Sequence, residues 1–268
     1  MRKKKRNFKR FVIGSDMHCG HRVGLTPPFW QSATRGNKYY RIQMELWDEF
    51  TSIVDYLKPI DILAMNGDCI DGRGDRSGGT ELIVLDRRDQ IKMAAAAINY
   101  CGADKVVITR GTPYHVGKKE EWENDLADQV KCNKIGDHEF YKVNGVIFDI
   151  KHHIGSSAIP HGQFTPVARD RLWNLIWSEY EMQPKADILI RSHVHYFLGM
   201  MGVDYEAYVT PALQGMGSKY GAKICSGLVH WGLIWFDIYD EPKEFGKRWE
   251  MNKHIVGIKS QKATVTEL

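Results

Sequence analysis

The chain has 268 residues, of which 43% are hydrophobic and 26% charged, the balance of a globular protein large enough to bury a substantial core. No apolar run approaches the roughly 20 residues that span a bilayer, and the basic start, Met1 to Arg6, leads into a short strand and not into the apolar stretch of a secretion signal. A cytoplasmic protein is expected. Five scattered cysteines (Cys19, Cys69, Cys101, Cys132, Cys225) form no C-x-x-C pair, which fits reduced thiols better than a disulfide framework or a zinc ribbon; Cys19 and Cys69, beside the two acidic motifs, are close enough to approach a metal but fit small buried filler better. The net charge of +4 owes much to Lys3, Lys4, Lys5, Arg6, Lys9 and Arg10. A basic arm over residues 1–10 is therefore expected ahead of a single domain over 11–268, able to touch a phosphate backbone or simply solvated.

In chain order, Phe11 to Gly14 is an apolar run of strand length that stops at Ser15-Asp16-Met17-His18. Cys19 to Lys38 is a long loop with Pro27-Pro28-Phe29-Trp30 at its centre, either a platform for a flat group or an anchor for the loop. Apolar positions at Ile42, Leu46, Phe50, Ile53 and Leu57 predict a helix ended by Lys58-Pro59. Ile60 to Met65 is the next strand and runs into Gly67-Asp68-Cys69-Ile70-Asp71. The glycine-rich loop from Gly72 to Gly79 lacks both nucleotide-loop patterns, although Arg73 or Arg76 in it could hold a substrate phosphate. Helices are predicted over Glu81 to Tyr100, Lys118 to Val130 and Arg169 to Glu181, the last with Leu172, Trp173, Ile176 and Trp177 on one side. Strands are predicted over Lys105 to Ile108, Tyr141 to Val143, Val146 to Ile150, Ile188 to Ile190, Val203 to Val209, Leu228 to Tyr239 and Val256 to Ile258. Asn144-Gly145 marks a hairpin turn. The order βαβαβα followed by a more β-rich half predicts two stacked sheets flanked by helices.

Four of these strands end in Asp or His, where an α/β sheet presents its ligands. They offer Asp16, His18, Asp68, His152 or His153, His193 and His195. Mixed carboxylates and imidazoles suit Mn, Fe, Zn or Ni rather than Ca. Five or more such ligands exceed what one open catalytic metal needs. They suit two ions about 3.5–4 Å apart, bridged by one carboxylate and clamping a phosphoryl group.

Asp16-x-His18, Gly67-Asp68-x-x-Asp71, Gly111-x-x-x-His115, a strand-end His and His193-x-His195 occur in the order found in the calcineurin-like metallophosphoesterases, which the chain resembles over roughly residues 10 to 200. The resemblance implies a four-layer α/β/β/α sandwich. It implies one metal held by Asp16, His18, Asp68 and His195, and a second held by Asp68, an Asn, the strand-end His and His193. Asp71 then organises its loop. The third block departs from the family's Gly-Asn-His: Thr112 stands at the Asn position, and Pro113 and Tyr114 precede His115. A hydroxyl is the poorer ligand, so a weaker second site is expected. His115 becomes either a ligand or the acid that protonates the leaving group. Either His152 or His153 is the fourth-block ligand, since adjacent residues point to opposite faces. His21 and His161 are further candidates for contact with the substrate phosphate.

The activity implied is hydrolysis of a phosphate ester by metal-bound hydroxide. The basic arm, Arg73, Arg76 and the aromatic loop favour a phosphodiester, in nucleic acid or a nucleotide. A phosphomonoesterase and a non-catalytic scaffold are the alternatives.

Overall fold

The computed structural model describes residues 6–31, 36, 38–117, 121–217, 229–243, 246–259, 265 and 267, without the side chains of Lys38 and Arg76. Phe11, Val12 and Ile13 are wholly buried because the strand that carries them, β1 (Phe8–Gly14), lies inside a sheet with partners on both sides. After it come α1 (Pro28–Gln31), α2 (Lys38–Leu57), β2 (Ile62–Asn66), α3 (Arg87–Cys101), β3 (Lys105–Thr109), α4 (Pro113–Val116), α5 (Trp122–Gln129) and β4 (Lys134–Gly136). The second half contributes β5 (His138–Val143), β6 (Val146–Lys151), α6 (Phe164–Glu179), β7 (Ile188–Arg191), β8 (Leu198–Met201), β9 (Glu206–Val209), β10 (Trp231–Tyr239) and β11 (Trp249–Val256).

Among the described residues the strands form two mixed sheets, ordered β11-β10-β1-β2-β3-β4 and β5-β6-β7-β9-β8. The period-2 alternation of β1 and β10 separates their two faces. Phe11 and Ile13, with Ile234, Phe236 and Ile238, meet Phe148, Ile150, Ile188 and Ile190 of the other sheet. Phe148 lies edge-on to Phe11 and Phe236, with ring centroids 4.9 and 5.2 Å apart. Val12, Leu233 and Trp235 face the opposite way, onto Leu46, Phe50 and Val54 of α2, Ile91 and Ile98 of α3 and Leu126 of α5. A third cluster joins Leu189, Ala207 and Val209 to Val167 of α6. Helix, sheet, sheet, helix is the α/β/β/α sandwich that the resemblance implies.

Several boundaries differ from those the sequence predicts. Helix α3 starts at Arg87 and not at Glu81, because the Asp86 side chain caps it by accepting from Arg88 N. Residues 81–84 instead cross the first loop, where Arg22 N donates to Glu81 O and Ile83 N to Gly20 O. The strand expected over Val203 to Val209 is the second half of a hairpin, β8 and β9, closed by Gly202 N donating to Tyr205 O. The last strand is Trp249–Val256 and not Val256 to Ile258; Ile258 packs against the helix-side core. Asn144 and Gly145, at φ 46° and 88°, make the predicted hairpin turn. Helix α5 is shorter than predicted, and residues 118–120, like Leu228 and Cys225, lie outside the described residues.

One correction concerns charge, and a further finding concerns exposure. The basic arm does not extend to residue 10: Phe8 to Arg10 already belong to β1, Arg10 makes a two-pronged pair with Asp237, and Arg6 pairs with Asp61. Met1 to Lys5 lie outside the described residues. Helix α6 buries Pro166, Val167, Arg171 and Asn174, and of the apolar residues read as sharing one side, Leu172, Trp173 and Trp177 are exposed.

Beneath the α6 side of the second sheet lies a buried ion cluster. Arg191, 2% exposed, donates to both carboxylate oxygens of Asp149 and to Asp170, at 2.7 to 3.2 Å. His138 Nε2 reaches Asp149 at 2.8 Å. Burial alone raises the pKa of Asp149, but Arg191 and His138 reverse this and hold it at about 2.

Candidate metal centre

The turns that follow β1, β2 and β7 are built from a backbone conformation that L-residues rarely adopt. Among the described residues eight non-glycine residues have positive φ, and five of them are Asp16, His18, Asp68, His193 and His195, at 45–76°. Such strain persists only where the surroundings over-determine it, and it clusters at functional sites. Here the first two turns are tied together, with Asp16 N donating to Gly67 O and His18 N to Asp68 O, both at 3.0 Å. Gly67 is required at its position: at φ 79° an added Cβ would sit 2.4 Å from His152 Nδ1.

Three groups of side chains offer ligand atoms within 4.8 Å of one another: Asp16, His18 and His195; His18, Asp68 and His115; Asp68, His152 and His193. They chain together through His18 and Asp68. His152 Nδ1 lies 2.6 Å from the carbonyl of Asn66, His18 Nδ1 lies 3.1 Å from Asp71 Oδ1, and His115 Nδ1 lies 2.9 Å from Asp71 O. An oxygen acceptor fixes the proton on each Nδ1 and leaves Nε2 free to face inward.

The inward atoms are those a cation would satisfy. Asp16 Oδ1 is buried with no hydrogen bond of good geometry, although Nε2 of His195, His18 and His152 surround it at 3.2, 3.8 and 3.9 Å. His18 Nε2 and His195 Nε2 face each other at 3.2 Å. Two lone pairs at that distance need a proton or a metal between them. Burial alone raises the pKa of Asp16 and of Asp68, yet the imidazoles of His195 and His152 beside Asp16, and of His152 and His115 beside Asp68, hold both well below the usual carboxylate range. Burial pushes His18 and His152 down, but the carboxylates outweigh it, and they stand at about 10 and 9. Protons thus occupy the positions where cations fit, and the oxygen and imidazole donor set suits a divalent transition metal.

Other sequence candidates fall into place around this centre. Thr112 donates from its backbone N to Asp68 Oδ1 at 2.7 Å, and its hydroxyl lies 3.2 and 3.3 Å from the two carboxylate oxygens. His115 lies edge-on to His18, with ring centroids 4.4 Å apart. His152 faces Asp68 at 3.1 Å, whereas His153 is exposed and lies against His193. His21 is a correction: it is 4% exposed, its Nδ1 accepts from Val23 N, and its Nε2 is 3.9 Å from Glu81. It braces the first loop and has no open side for a substrate. Arg73 and His161 are exposed, and the side chain of Arg76 lies outside the described residues. Phe29 is 80% exposed, while Trp30 packs on the helix-side core. The Cys19 and Cys69 thiols are buried, with pKa values raised by burial, as filler residues would be.

Two parts of the centre carry no distinct sequence signal. Glu123 of α5 is wholly buried and accepts from Cys69 N and Gly111 N at 2.8 and 2.7 Å, joining the turns that hold Asp68 and Thr112. Burial, then Asp68, raises its pKa to about 7. A glutamate in a charged helix reads as solvated until the packing is known. Behind the ligands, Ser15, Thr210 and Ser192 form a hydroxyl chain at 2.7 and 2.6 Å, and Asn66 donates to Ser192 at 2.7 Å.

No protein-family model matches the chain, and no curated protein does. Solved structures similar to it include a novel archaeal phosphodiesterase, 12% identical, with 92% of this chain and 99% of that one covered at a TM-score of 0.46. Vacuolar protein sorting 29 from Cryptosporidium parvum is 9% identical, covering 94% and 100% at 0.49. A predicted phosphoesterase from Streptococcus pneumoniae is 8% identical, covering 94% and 100% at 0.39. These likenesses extend over 92–94% of this chain at low identity, and the functional case rests on the side chains.

Proposed function

We propose that the protein is a phosphoesterase in which aspartates and histidines hold two divalent transition ions, Mn being the first to test, and that its substrate is a phosphodiester. The observation that carries this reading is the chain of three ligand groups linked through His18 and Asp68. Asp16, His18 and His195 would hold one ion, and Asp68, His152 and His193 the other, with Asp68 between them and Thr112 on its carboxylate. Ions so held lower the pKa of water and stabilise charge on a phosphoryl group.

The remaining work falls to the chain's own residues. Asp71 orients His18 through its carboxylate and His115 through its carbonyl. Partners of this kind are typically worth about 10–100-fold in metal affinity. His115 keeps its Nδ1 on Asp71 O, so Nε2 is the atom that would hand a proton to a leaving alkoxide. Burial, then His18, lowers its pKa, so the doubly protonated ring that carries a proton on Nε2 fills only towards acid pH, and the acid role predicts turnover of an alkyl diester that falls as pH rises. The partners of the six ligand side chains, among the described residues, are carboxylates, imidazoles, Thr112 and backbone groups, without lysine or arginine. That suits a singly charged diester better than a doubly charged monoester. A nucleic-acid or nucleotide diester is the substrate class to try first.

With Mn²⁺ added, the purified chain is expected to cleave a chromogenic phosphodiester faster than the matching monoester. Turnover of the monoester alone would make it a phosphatase, and silence on both in the metal-loaded protein would leave a binding scaffold. The role of His115 separates by leaving group. His115→Asn is expected to slow an alkyl diester by about 10²-fold and a nitrophenyl diester far less, because nitrophenolate leaves without a proton. Equal losses on both would make His115 a ligand and not the acid.

A further inference from the structure

Helix α6 buries Pro166, Val167, Arg171 and Asn174, and its remaining surface carries large apolar side chains that no described residue covers fully, with Trp173 and Trp177 on the flank that edges the cavity over Asp149 and Arg191. Leu172 is 57% exposed, Trp173 51%, Trp177 41% and Tyr180 73%. At 3.6 residues per turn Leu172, Ile176 and Tyr180 form one row, and Trp173 and Trp177 the row beside it. A contiguous apolar band of this kind on a soluble surface marks a place where another protein docks.

The charges around the band identify the partner. Arg169 is exposed at its amino-terminal end, and Glu179 and Glu181 are exposed at its carboxyl-terminal end, about 15 Å away along the helix. Laid antiparallel on a copy of itself across a two-fold axis near Leu175, the band matches the band. Trp173 comes level with Trp177 of the other copy, and Arg169 comes level with its Glu179 and Glu181. A parallel arrangement would set like charges together. We propose that the chain pairs with a second copy of itself through α6, forming a two-fold dimer in which Leu172, Trp173, Ile176 and Trp177 are covered.

The test is sedimentation of the full chain across the micromolar range. The wild type is expected to shift from the 30.8 kDa chain to twice that mass as concentration rises. Leu172→Glu is expected to weaken association at least about tenfold, as for a central apolar contact. Arg169→Glu is expected to weaken it as well. Combining Arg169→Glu with Glu179→Arg and Glu181→Arg restores the charge match and is expected to recover the dimer, a rescue that a mere folding defect would not show. A wild type that stays monomeric throughout overturns the proposal. So does a dimer whose dissociation constant is unchanged by Leu172→Glu.

Discussion

Asp68→Asn is expected to abolish diester hydrolysis, lowering kcat/KM by about 10³-fold or more, since in the proposed centre stabilisation of several kcal/mol by the ions would rest on this one carboxylate. Asp68 is 1% exposed and lies within reach of His152, His193 and Thr112. It belongs to two of the three ligand groups. Asparagine keeps the shape and still accepts from Thr112 N, so the fold survives while the bridging charge is lost. Kinetics on a chromogenic diester, with bound metal measured on the same sample, check this. Wild-type turnover with wild-type metal content would remove Asp68 from the mechanism.

The second large effect is on stability. Arg191→Met leaves Asp149 and Asp170 facing each other without their shared cation. Removing one member of a buried ion pair costs roughly 3–5 kcal/mol, a fall of about 6–20 °C in Tm for a chain of this size. Adding Asp149→Leu is expected to recover much of the loss, because an apolar pair replaces a broken ionic one. The same cluster sets an acid limit. An aspartate of ordinary pKa, about 3.9, is held at about 2 in the fold. The native state therefore binds fewer protons than the unfolded state in that window. The stabilisation is complete above about pH 4 and is lost as pH falls towards 2. In Arg191→Met the acid transition is expected to begin at a higher pH. Thermal melts of the metal-free protein from neutral pH downward measure both effects.

The centre was legible in the sequence to the extent that strand chemistry is local. The apolar runs that precede Asp16 and Asp68, and the histidines that follow β6 and β7, mark strand ends by pattern alone, and strand ends are where such a sheet gathers its ligands. The choice between His152 and His153 needed the direction of each side chain, which only the pairing of β6 with β7 fixes. Other features depend on long-range packing. His21 looked like a substrate contact because it is a histidine near the motif; residues 81–84 cross its loop and bury it. Glu123 looked like a solvated helix residue until α5 was set against the Asp68 turn. The outward face of α6 is the inverse case. Its apolar spacing is that of a core-facing helix, but Val167 makes the contact with the sheet, and the polar Arg171 and Asn174 hold Ala186 and Pro184 in the loop ahead of β7. Helical periodicity identifies an apolar side without saying what that side will meet. The strand Trp249–Val256 went unseen because it interleaves Glu250, Asn252, Lys253 and His254, as a half-exposed edge strand does.

The most direct measurement is the number of metal ions each chain takes up, by elemental analysis after Mn²⁺ loading and removal of free ion. Two ions per folded wild-type chain, and fewer in Asp68→Asn, are the values expected if Asp16, Asp68 and the inward-facing imidazoles share their protons' places with cations. A correctly folded wild type that retains none, or an Asp68→Asn protein that still holds two, would contradict it.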